Sequence, residues 1–134
     1  MRAMLAAAAS AIVVSMIASS SCVGGAPELP ATLSSIHDDV FHVSCSASVC
    51  HGGAGPADGM NLDVDPFKSI VNVDSFDNPG EKRVVPGDSE HSVLYLVLLG
   101  PHGATQRMPQ VGDPLPPDEI DRIKRWIDAG AQNN

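Results

Sequence analysis

The chain has 134 residues and a net charge of −8, with sixteen Asp and Glu against eight Lys and Arg. That balance argues against nucleic-acid binding, which calls for a basic face, and the length suits a single domain. Aromatic residues make up 4% of the sequence, so the core is thin and a bulky buried group would help to fill it.

Residues 1–21 read MRAMLAAAASAIVVSMIASSS: one early cation (Arg2), an apolar run from about Leu5 to Ala18, then small residues. This is the order of a secretory signal peptide, and the run is too short for a good membrane span. Cys22 follows directly, where a bacterial lipoprotein would be cleaved and lipidated, although Ser19 stands where such sites usually carry a Leu-like residue. The expected location is therefore exported, either periplasmic or anchored to the cell envelope through a lipid on Cys22. Loss of the signal with Arg2 leaves seven Lys and Arg against sixteen Asp and Glu, a net −9. Such a surface suits a basic redox partner, or serves solubility alone.

Residues 22–31 form a linker whose stretch VGGAPELP is rich in Gly and Pro, and the domain proper spans 32–134. A first helix is expected from about Thr32 to Ser44. Thr32 can cap it, and Leu33, Ile36, Val40 and Phe41 give it one apolar face. The long segment from Gly52 to Asp88 is rich in Gly, Pro, Asp and Asn, with one short helical turn expected around Pro66–Val71. A loop of that length in a small domain usually has a function or wraps something.

A second helix is expected after Asp88, a good N-cap. The run VLYLVLL has strand preference, but the cap before it and Gly100 after it favour a buried helix. A third begins at Pro117, with Asp118 and Glu119 complementing its dipole. Its inner face is Ile120, Ile123, Trp126 and Ile127, and Gly130 ends it. The fold class is all-α, with about three main helices and long Gly/Pro-rich loops.

The chemistry concentrates in CSASVCHGG, residues 45–53. Two cysteines followed by a histidine are what thioether attachment of haem requires: Cys45 and Cys50 bond the vinyl groups and His51 reaches the iron. The usual motif is C-x-x-C-H, and here four residues intervene. An exported Cys pair can equally close as a Cys45–Cys50 disulfide, making the chain a non-haem binding domain or lipoprotein. Zinc would find three ligands here and no evident fourth. Downstream, Met108 in the sequence Arg107-Met108-Pro109 offers a thioether sulfur from the loop between the second and third helices. Met60 lies close to the attachment motif and ranks behind it. His102 is a substitute ligand, and His37, His42 and His91 read as surface or packing residues.

Taken in order, these stretches resemble the small cytochrome c-like domains of myxobacteria and planctomycetes. The matching pieces are Val40-Phe41, CSASVCHGG, Gly59-Met60-Asn61-Leu62, Ile70-Val71-Asn72-Val73, RVVPGDSEHS at 83–92, RMP at 107–109 and EIDRIKRWIDAGA at 119–131. They cover roughly residues 32 to 131. The departure is the widened spacing between the cysteines. The resemblance implies a small cytochrome c fold with one covalent haem c, Cys45 and Cys50 as thioether cysteines, His51 as proximal ligand and Met108 as distal ligand. It also implies that Leu33, Ile36 and Val40 pack on Ile120, Ile123 and Ile127. The expected function is electron transfer to and from redox partner proteins, not catalysis.

Overall fold

The computed structural model describes residues 28–134. The expected signal peptide, Cys22 and most of the linker lie outside the described residues. Helices α1 (Leu33–Ile36), α2 (Pro66–Ile70), α3 (Val93–Leu99) and α4 (Pro117–Asp128) are joined by long irregular segments. Among the described residues there is no strand, only isolated bridges such as Val71 with Val84 and Asp74 with Lys82. The all-α expectation holds at this level. No helix among the described residues is long and apolar enough to cross a membrane.

The first helix begins where Thr32 caps it, its hydroxyl accepting the Ser35 N–H in a reciprocal capping box. At His37 the winding changes, and His37–Cys45 is π-helical, closed by a bond from the Ser46 N–H to the Phe41 carbonyl at 2.8 Å. The change brings Cys45 into line with Ile36 as well as Phe41. At about 3.6 residues per turn, Cys45 would face away from Ile36, nine residues before it. The wider i→i+5 winding returns it to the side that carries Ile36, Val40 and Phe41. Those three are buried, and Cys45 packs against the core they belong to.

Helix α3 starts later than Asp88. That residue instead caps a short 3₁₀ turn, Ser89–His91, accepting the His91 N–H. Ser92 then holds the chain extended: its hydroxyl accepts the Val85 N–H at 2.8 Å and donates to the Asp88 carbonyl at 2.7 Å. The apolar run VLYLVLL follows as helix, buried at Val93, Leu94, Tyr95, Val97 and Leu98.

Helix α4 opens at Pro117 as expected and buries Ile123, Trp126 and Ile127. They join Leu33, Ile36 and Val40 in one core cluster, with Ile120 packed against it partly buried. Arg122 is buried as well, at 1% exposure. Its guanidinium is partnered across the fold at two of its three nitrogens: Nε donates to the Pro30 carbonyl at 2.8 Å and Nη2 to Asp39 at 2.6 Å, while Nη1 is buried without a partner. This ties the segment entering α1, and the π-helical stretch, to the face of α4.

Candidate functional site

Cys45 is the last residue of the π-helical stretch, and the chain then turns sharply. The Cys50 N–H bonds the Ala47 carbonyl at 2.8 Å, and the His51 N–H returns to the Cys45 carbonyl at 3.1 Å. The four residues between the cysteines are thus a looped-out turn, with Val49 at its exposed tip. Gly52 is required by this turn. A Cβ there would lie 2.0 Å from the Ser46 carbonyl oxygen, so the backbone can close this tightly only on glycine.

The loop after His51 is bound back onto the motif. The Ala57 N–H bonds the Cys50 carbonyl at 2.7 Å, the Met60 N–H the Ala57 carbonyl at 3.0 Å, and the Leu62 N–H the His51 carbonyl at 2.7 Å. Residues 50–62 therefore make one wall, bearing both His51 and Met60.

That wall borders a cleft with a cavity volume of about 70 Å³ that opens to solvent at its mouth. Cys45, His51, Met60 and Met108 all line it, against an apolar floor that includes Phe41, Leu62, Leu94 and Leu98. Arg83, Asp58 and Asp77 are the charged side chains on the lining. Phe76 stands at the mouth, largely exposed. Cys50 is beside the cleft through its neighbour His51 but is not among the lining residues.

The structure thus brings Cys45, His51 and Met108 to one cavity although Met108 is far away in sequence. It adds two residues that the sequence reading set aside or passed over. Met60 shares the cleft with Met108. Arg83 reaches over the wall, donating from Nη1 to the Ser69 carbonyl at 2.7 Å and from Nη2 to the Asp58 carbonyl at 2.5 Å. His102 is not on the lining; its Nε2 meets the Glu81 carboxylate at 2.6 Å. His42 and His91 are exposed, and His37 bonds the Asp63 carbonyl through Nε2 at 2.9 Å.

The electrostatics of the motif favour uncharged donors. His51 is 7% exposed, and its Nδ1 is buried with no hydrogen-bond partner. Burial pushes its pKa below the ordinary value, outweighing the nearby backbone of Ala57 and Met60, so the ring is neutral near pH 7 and keeps a lone pair for a metal. Cys45 and Cys50 are both free thiols. Burial, then the neighbouring Cys50 and Glu119, pushes the Cys45 thiol up from 9.0 to about 11. The folded state therefore favours the protonated thiol, and this stabilisation is present below pH 9.0 and lost as pH rises towards about 11.

One outcome is direct. At pH 8 the thiolate fraction of Cys45 is about a hundredfold below that of an ordinary thiol, and thiolate is the reactive form. Alkylation of Cys45 by iodoacetamide, read by peptide mass mapping, should be slower by about that factor in the native reduced chain than in urea. Equal rates would mean that Cys45 is not sequestered in the cleft.

The donor set suits haem c: two free thiols close in sequence, a neutral buried imidazole with an orphan nitrogen, thioether sulfurs and an apolar floor. Comparison with protein-family models, curated proteins and solved structures gives no match for this chain.

Proposed function

We propose that the chain is an exported monohaem c-type cytochrome with a small cytochrome c-like fold, acting in electron transfer and not as an enzyme. The observation that carries this reading is the single cleft shared by Cys45, His51 and Met108. Cys45 and Cys50 would hold haem c through thioethers, and His51 and Met108 would supply the axial donors. When bound, the haem supplies a one-electron couple at iron.

The residues of the chain set the conditions for that couple. The neutral His51 ring needs no proton removed before it can ligate. The apolar floor of Phe41, Leu62, Leu94 and Leu98 would pack against an apolar ring, and Arg83 offers a cation to a carboxylate-bearing group. The acidic chain suits a basic redox partner, and electron-transfer rates that fall with added salt would fit that pairing. Membrane attachment would come only through a lipid on Cys22.

The test is the intact mass and reduced absorption spectrum of protein exported from a host that matures c-type cytochromes. One covalent haem per chain is expected, and Cys50→Ala should lose one thioether bond. A haem-free chain lighter by two hydrogens would identify the pair as a disulfide staple in a non-haem binding domain, and would end this reading.

A further inference from the structure

Two segments form neighbouring parts of the cleft lining: the loop around 75–77, and the stretch that carries Thr105 and Met108. One side chain fastens them together. Asn78 is 6% exposed and lies outside the cleft lining. Its Nδ2 donates to the Thr105 hydroxyl at 2.8 Å, and its Oδ1 accepts the Ala104 N–H at 3.0 Å. On its own side it is fixed by bonds from its N–H to the Ser75 hydroxyl and from the Glu81 N–H to its carbonyl.

The opposing turn is shaped to receive it. His102 and Thr105 exchange both backbone bonds at 2.9 Å, closing a tight turn with Gly103 and Ala104 at its tip. Gly103 has φ +55°, and a Cβ on it would fall 1.9 Å from Asn78 Oδ1. The left-handed backbone favours glycine there, and any side chain would push the Asn78 amide out of its place. Three residues beyond Thr105, the Met108 N–H bonds the Val97 carbonyl of α3 at 2.8 Å. The Met108 segment is therefore tethered to α3 at one end and to Asn78 at the other.

We infer that Asn78 is a positioning residue that latches the 102–105 turn to the 75–81 loop and so fixes Met108 in the cleft. The nearby Glu81–His102 pair is half-exposed and adds little, because exposed ion pairs contribute weakly. A buried amide with both its donor and acceptor engaged across two loops is a stronger and more directional tie. The inference rests on the reading of Met108 as distal ligand only in its electrochemical arm.

The experiment compares Asn78→Ala, Thr105→Val and Glu81→Gln with the parent, using the full chain as isolated. Sulfoxide formation at each methionine under dilute hydrogen peroxide is followed by peptide mass mapping. In the first two variants Met108 should oxidise severalfold faster, while Met60, in the same cleft but on the His51 wall, keeps its parental rate. Glu81→Gln should change neither. Exchange of the Ala104 amide should speed up roughly tenfold in Asn78→Ala, the scale of one lost hydrogen bond. Unchanged Met108 oxidation overturns the inference, and so does an equal rise at both methionines, which would report general loosening.

In haem-loaded protein the reduction potential of Asn78→Ala should move towards that of Met108→Ala. If Met108→Ala lowers the potential and Asn78→Ala does not, the positioning role fails and the cytochrome reading stands. If no haem is present, the cytochrome reading fails, and the oxidation rates alone decide the latch.

Discussion

If the chain carries haem as proposed, replacing Met108 by alanine is expected to lower its reduction potential by tenths of a volt, and replacing Met60 to shift it far less. Axial ligand choice moves haem potentials over about 0.8 V, and a thioether favours the reduced iron, so its loss moves the potential down. Both methionines line the cleft, which makes the comparison decisive. Met60 is bound into the same wall as His51 through the Met60–Ala57, Ala57–Cys50 and Leu62–His51 backbone bonds. A second donor to a haem held by His51 would have to come from a segment other than the one that carries His51. Met108 does, arriving on a segment tied to α3 and to the 75–81 loop. Potentiometric titration of the parent and both variants checks it. A fall in Met60→Ala alone would exchange the two roles. Parental potentials in both would remove thioether ligation altogether.

The parts of this arrangement legible in the sequence are those written in local chemistry. Thr32 caps α1, Pro117 opens α4, and the apolar faces of both meet in one core, as spacing and capping rules indicate. The short helical turn expected around Pro66–Val71 is present as Pro66–Ile70, where Asp65 caps it by accepting the Lys68 N–H. Cys45, His51 and Met108 could be named because each stands in a short motif with a chemical reason.

What the sequence did not disclose depends on winding and on partners distant in the chain. No Gly, Pro or other local signal marks the change to π-helix at His37, yet that change brings Cys45 round to the side of Ile36. Asp88 looked like the start of a long helix. Ser92, bonded to Val85 and Asp88, interrupts it for a reason visible only once those residues are close. Arg122 stands on an amphipathic helix with no local signal for burial. It is buried because the Pro30 carbonyl, 92 positions away, and Asp39 accept its protons. Asn78 sits in a polar loop where an asparagine is ordinary, and its partners are 26 and 27 residues ahead. Met60 was set aside for its nearness to the motif, although nearness also places it in the cleft.

Trp126→Ala is expected to cost about 3–5 kcal/mol, as removal of a buried aromatic does, and domains of this size hold only about 5–15 kcal/mol in all. Trp126 is 1% exposed, the largest of the fully buried side chains, in a chain with 4% aromatic residues, so little else can fill its space. Its effect also runs beyond the void. The indole Nε1 donates to the Gln132 carbonyl at 2.8 Å, and the Ala131 N–H bonds the Trp126 carbonyl at 2.9 Å, folding the C-terminal residues back. The chain end so placed meets the start of α1. Asn134 accepts the Leu33 N–H at 3.0 Å through Oδ1 and the Ser34 N–H at 2.8 Å through its carbonyl. Those are first-turn donors that the helix itself leaves unpaired. Trp126→Phe keeps most of the burial and loses the indole bond, and should cost about 1 kcal/mol plus a packing defect. Urea titration followed by far-UV circular dichroism, with parent and variants prepared in the same haem state, separates the two. A Trp126→Ala midpoint close to that of Trp126→Phe would mean that the indole bond, and not the buried ring, carries the junction between α4 and α1.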